Sequence, residues 1–81
     1  MKEITIGSEK QIAWATEIRA KNLRELGREI EEFKTRGGFD NLVVKLEKAV
    51  ADIESTDKPA KFWIDNPGTA KHYIQQIKKS R

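Results

Sequence analysis

Ser8-Glu9-Lys10-Gln11-Ile12-Ala13-Trp14-Ala15, read on to Thr35-Arg36-Gly37-Gly38, decides the fold: it predicts one long helix over 8–36. Ser8 and Gln11 stand three apart, the spacing of a capping box, in which each side chain satisfies a backbone N–H near the other residue. Gly37 and Gly38 supply the positive-φ positions that close a helix C-terminus. At 100° per residue, Ile12, Ala15, Leu23, Leu26, Ile30 and Phe33 share one narrow sector, with Arg19 in its middle. Trp14 and Ile18 lie on a flank, a second apolar direction confined to the N-terminal half. Such a helix is roughly 42 Å long, whereas a compact chain of this size has a radius of gyration of ~12 Å. It must bend, with Gly27 the weak point, or lean on another chain.

Going outward from this helix, Met1–Gly7 holds Ile4-Thr5-Ile6, a short alternating stretch with no second strand signal to pair with. It is expected as an extended arm (1–7) laying Ile4 and Ile6 against helices, the alternative being an edge strand that pairs in a dimer. After Gly37-Gly38, Asp40 suits an N-cap, with Phe39 stapling onto Val44, and a second helix over 40–54 follows. Leu42, Leu46, Ala49, Val50 and Ile53 give it one apolar face, and the short connection folds it back antiparallel. A third helix is expected over 58–65. Phe62, Trp63 and Ile64 are consecutive, so two bury and one faces elsewhere. Asn66 before Pro67 suits the N-cap of a fourth helix over 67–79, with Ala70, Tyr73, Ile74 and Ile77 on its buried side. The fold class is all-α: a compact bundle of four helices in one domain with an N-terminal arm.

With 81 residues the chain is near the lower size limit for a self-sufficient core, and charged residues are as frequent (36%) as hydrophobic ones (37%). The absence of cysteine removes disulfides and thiolate chemistry, and a lone histidine argues against a structural zinc site. No apolar run approaches a membrane span and no signal-peptide core is present, so a cytoplasmic protein is expected. The net charge of +3 is uneven: residues 1–57 sum to −2, and residues 58–81 hold six basic residues against Asp65 alone.

Two stretches carry a resemblance. Gly7-Ser8-Glu9-Lys10-Gln11-Ile12-Ala13-Trp14-Ala15, continuing to Ile18-Arg19, resembles the opening of a small helical module recurrent in phage and mobile-element proteins. Ala60-Lys61-Phe62-Trp63-Ile64-Asp65-Asn66 resembles its second signature, an aromatic pair followed by Ile-Asp-Asn, after which the family commonly has a basic residue where Pro67 stands here. The resemblance covers about a quarter of the chain. It implies a strandless fold and a phage or mobile-element origin, and no reaction.

Arg19 within an apolar stripe needs a partner, and Asp65 at the end of the aromatic helix is the expected one, with Trp14 and Trp63 stacked nearby. The sharper alternative is that Arg19 faces a pocket and binds an anionic ligand or a partner carboxylate. No catalytic residue stands out: Ser8 is used by its cap, and His72, the one base active near neutral pH, sits on an exposed face. Neither a metal, a cofactor nor an enzyme activity is expected. The exposed face of the long helix mixes signs, with spacings such as Glu17/Lys21 and Arg24/Arg28/Glu32 that suit solvated pairs. The acid-free face of the last helix, with Lys71, His72, Gln75, Lys78, Lys79 and Arg81, could track a phosphate backbone. The overlong helix with Trp14, Ile18 and Arg19 suits partner capture. The expected function is a non-enzymatic protein-interaction module (adaptor or inhibitor), with an accessory nucleic-acid binder as the alternative and a homo-oligomer as a further possibility.

Overall fold

In a computed structural model, which describes residues 3–79, the chain forms four helices: α1 (Glu9–Arg36), α2 (Asp40–Ser55), α3 (Ala60–Asp65) and α4 (Thr69–Lys79). The capping box forms as expected: Gln11 N–H donates to Ser8 Oγ at 3.2 Å, and Ser8 N–H donates to Gln11 Oε1 at 3.0 Å. At the other end Gly37, at φ 74°, donates its N–H to Phe33 O at 3.0 Å. The 28-residue helix runs unbroken through Gly27. The domain is drawn out to match it, 44 × 19 × 16 Å with a radius of gyration of 13.5 Å. The long axis of the domain thus matches the length of this helix.

The other elements divide its length between them. α2 and α3 pack on α1, and α4 packs on both α1 and α2. The Phe33 and Phe39 rings meet at 5.0 Å across the Gly37-Gly38 turn, so α2 folds back on the C-terminal half of α1. This alters the expected α2 start. Phe39 occupies the N-cap position without a side-chain bond, Asp40 is the first helical residue, and Val44 is 63% exposed rather than stapled. Phe39 packs its ring at a tilt of 54° on Phe33 instead of reaching Val44, and Asp40 still places its charge favourably at the helix N-terminus. α4 runs parallel to α1, since Ala70 at its start meets Asn22 and Lys78 near its end meets Glu29.

The core joins Ala15, Leu26, Ile30 and Phe33 of α1 to Leu42, Val43, Leu46, Ala49 and Ile53 of α2, and adds Ile4, Ala60, Trp63 and Ala70. Of α4's expected stripe only Ala70 is fully buried, while Tyr73, Ile74 and Ile77 are half-buried. In the arm Ile4 is buried, but Ile6 is 62% exposed. Ile6 contributes its carbonyl instead, which accepts from Ala60 N–H at 2.8 Å and pins the start of α3. Gly7 lies between them at φ 139°, where a Cβ would stand 3.0 Å from the Ala60 Cβ. The two stretches that carry the family resemblance thus meet at Gly7 and Ala60.

Two helix starts differ from expectation. Pro59 stays extended (φ −67°, ψ 162°), so α3 begins only at Ala60. Asn66 closes α3 instead of opening α4: its N–H donates to Phe62 O at 3.0 Å and its Nδ2 to the same oxygen at 2.8 Å. Pro67-Gly68 then makes a turn, and α4 starts at Thr69.

Gly27 sits within α1, and a Cβ built there meets nothing within 4 Å. Alanine there lowers the unfolded chain's entropy at no steric cost. Gly27→Ala is expected to stabilise by about 0.5–1 kcal/mol, raising the melting temperature by several degrees. A thermal melt followed by circular dichroism checks this, and a lowered midpoint would contradict it.

Candidate interaction surface

The basic helix does not present one free cationic face. Lys78 Nζ lies 3.7 Å from Glu29 Oε1 and 5.8 Å from the centre of the Phe33 ring. Lys71, Gln75 and Lys78 border a groove between α1 and α4 whose other wall includes Glu25, Glu29 and Glu32. His72 lines a different groove, between α3 and α4, beside Asp65, Asn66 and Tyr73. Lys79 is exposed, and Arg81 lies outside the described residues. The parallel docking of α4 carries part of its positive charge against the acids of α1.

The partner-binding candidates also separate. Arg19 is only 5% exposed and is not without a partner, so it is an interior residue of the bundle rather than a handle for another molecule. The expected Arg19–Asp65 pair is not among the ion pairs of the described residues. Asp65 is exposed because Trp63, two residues earlier and therefore on the opposite side of α3, is the residue that turns inward. Trp63 meets Phe62 edge-on at 5.2 Å rather than stacking with Trp14. Ile18 is half-buried against the core. Of these three, Trp14 alone stands out, 59% exposed.

Among the described residues no cluster of His, Asp and Glu is placed to hold a metal ion, and no helix is long and apolar enough to cross a membrane. In the groove beside His72 the hydroxyl of Thr69 donates to Asn66 O at 2.7 Å.

The mixed-sign exposed face of α1, expected to be merely solvated, is joined by Trp14. Lys10, Trp14, Glu17, Lys21, Arg24 and Arg28 alternate at spacings of four and three, so they line one face of α1, and all are exposed. The pairs expected on this face, Glu17/Lys21 and Arg24/Arg28/Glu32, are not among the ion pairs of the described residues. Glu32 bonds Arg36 at 2.8 Å and Glu29 takes Lys78, while Lys21, Arg24 and Arg28 make no ion pair among the described residues. Arg28 borders both a shallow depression shared with Lys21 and Arg24 and the groove that holds Lys71. The alternating spacing was the available signal; of the neighbouring glutamates the fold commits Glu29 to Lys78 and Glu32 to Arg36.

Compared with known proteins, the chain matches no family model, no curated protein and no solved structure.

Proposed function

We propose that this chain is a non-enzymatic interaction module, an adaptor or inhibitor in type, that holds another macromolecule against the outer face of α1. The observation that carries this reading is Trp14: a large amphipathic side chain held 59% exposed on a rigid helix, in a protein with little apolar surface to spare. Tryptophan on such a platform loses little conformational freedom on binding and contributes a large contact area, which is why it dominates interface energetics. A role in phage or mobile-element biology, implied by the two signature stretches, belongs to the same proposal, as does a cytoplasmic setting. The rival surface on α4 is disfavoured by the Lys78–Glu29 pair and by the acids across its groove.

The test places a photo-crosslinking amino acid at position 14 and, as control, at position 44, where Val44 is equally exposed on α2. Adducts are expected from position 14 in cells that make the protein, and few or none from position 44. Equal yields, or none from position 14, would sink the reading.

A further inference from the structure

We infer that the partner is a single-stranded nucleic acid, with Trp14 stacking on an unpaired base and Lys21, Arg24 and Arg28 gripping consecutive phosphates. The inference rests on the interaction reading above and names the occupant of that same face.

Charge complementarity selects the partner. Along the row from Lys10 to Arg28, Lys10, Lys21, Arg24 and Arg28 face solvent with Glu17 among them, half-buried Glu25 flanks them, and exposed Glu31 continues the row beyond Arg28. Lys71 stands across the groove that Arg28 borders, whose α1 wall also holds Glu25, Glu29 and Glu32. Four cations held within a few ångströms of one line on a helix repel one another, and they gain when a polyanion neutralises them. The helical rise separates Lys21 from Arg24 by ~4.5 Å and Arg24 from Arg28 by ~6 Å along the axis, and the long flexible side chains adapt this ladder to a strand of phosphates. Arg24 and Arg28 bring planar forks that match phosphate oxygens in bidentate fashion.

Trp14 separates a nucleic acid from a generic polyanion. It lies ~10 Å up the helix from Lys21, on the same face, with Lys10 one turn beyond. An aromatic face between cations is the arrangement by which proteins hold single strands without reading sequence, because every base offers a π-face. A duplex keeps its bases stacked on each other and offers Trp14 nothing. The whole row from Lys10 to Arg28 spans ~27 Å, long enough for a short stretch of single strand.

The experiment titrates the full chain with a fluorescein-labelled oligothymidylate about 15 nucleotides long, by anisotropy and by tryptophan emission. Binding is expected at low salt with partial quenching of Trp14, and the affinity should fall as salt rises, with a log–log slope of about −2 for three phosphates. An Arg24→Glu/Arg28→Glu variant is expected to lose at least tenfold in affinity and to flatten the salt slope. Trp14→Ala is expected to lose roughly fivefold or more with the slope unchanged. All three positions are exposed, so unaltered melting curves will show that these variants fold. Failure of the wild-type chain to bind the oligonucleotide would overturn the inference, as would equal binding of polyglutamate or indifference to Trp14→Ala. The position-14 crosslink keeps the two readings apart. A protein adduct with no oligonucleotide binding removes the nucleic acid and leaves the interaction module, whereas no adduct and no binding removes both.

Discussion

Trp63→Ala is expected to destabilise the domain by about 3–5 kcal/mol, the range for deleting a large aromatic from a core. Trp63 is 1% exposed and the largest fully buried side chain. It is also the main apolar anchor of α3, which is only six residues long. A helix that short has no stability of its own, so its place depends on Trp63, on Ala60 and on the Ile6–Ala60 backbone bond. A chain of this size has a total stability of about 4–12 kcal/mol, so the variant loses a large share of it. Trp63 also carries a liability. Its Nε1 is buried with no hydrogen-bond partner among the described residues. Phenylalanine removes that unsatisfied donor, whose burial costs about 1–3 kcal/mol, while it forfeits part of the packing. Trp63→Phe is therefore expected to cost well under half as much as Trp63→Ala. Urea unfolding of the two variants checks both statements. An alanine variant within about 1 kcal/mol of wild type would mean that α3 contributes little to the cooperative unit.

What the sequence reveals here follows the range over which each signal acts. Both ends of α1 were legible because their caps are local: Ser8 with Gln11, and Gly37 with Phe33, all within one turn. The α2 stripe was legible because Leu42, Leu46, Ala49 and Ile53 repeat with the helix period. Asn66 was misjudged for a local reason too. A residue before proline is driven out of the α region, and this suits the end of one helix as well as the start of the next. The candidate site depended on something no window contains, the path of α4. A helical wheel gives the direction of Trp14 but not whether anything covers that direction. Trp14 is left 59% exposed, and α4, docked with Ala70 on Asn22, carries Lys78 to Glu29 instead of to a free basic face. Arg19 shows the same limit. Its place inside the apolar stripe announced burial, but its proposed partner depended on which side of a six-residue helix turned inward.

Asn22→Ala is expected to cost about 2–3 kcal/mol and to loosen α4 before the rest of the bundle. Asn22 is a polar residue in the core, 1% exposed. Its Nδ2 donates to Ile18 O one turn earlier at 3.0 Å, which fixes the amide so that Oδ1 faces away from its own helix. That oxygen accepts from Ala70 N–H at 3.0 Å, a bond across 48 positions of sequence. The first turn of any helix has N–H groups without intrahelical acceptors, and they are ordinarily capped by a residue just upstream. In α4 the neighbouring Thr69 hydroxyl is donating to Asn66 O, so α1 supplies the acceptor for the buried Ala70 N–H. Alanine at position 22 leaves that N–H buried and unpaired. Aspartate is expected to do no better. One carboxylate oxygen still accepts from Ala70 and gains from the helix N-terminus, but the other faces Ile18 O where a donor is needed, and the charge is cut off from water. Hydrogen exchange of backbone amides supplies the decisive readout, because Ala70 is the one fully buried residue of α4. Protection is expected to fall throughout α4 in Asn22→Ala while α2 keeps most of its own. A uniform loss across all four helices would show instead that Asn22 supports global packing alone, with the cap to Ala70 incidental. If the cap is what docks α4, the same variant will also release Lys78 from Glu29 and return that lysine to solvent. Raising the salt concentration should then destabilise α4 less than it does in the wild-type chain, since its one ion pair to α1 among the described residues is already broken.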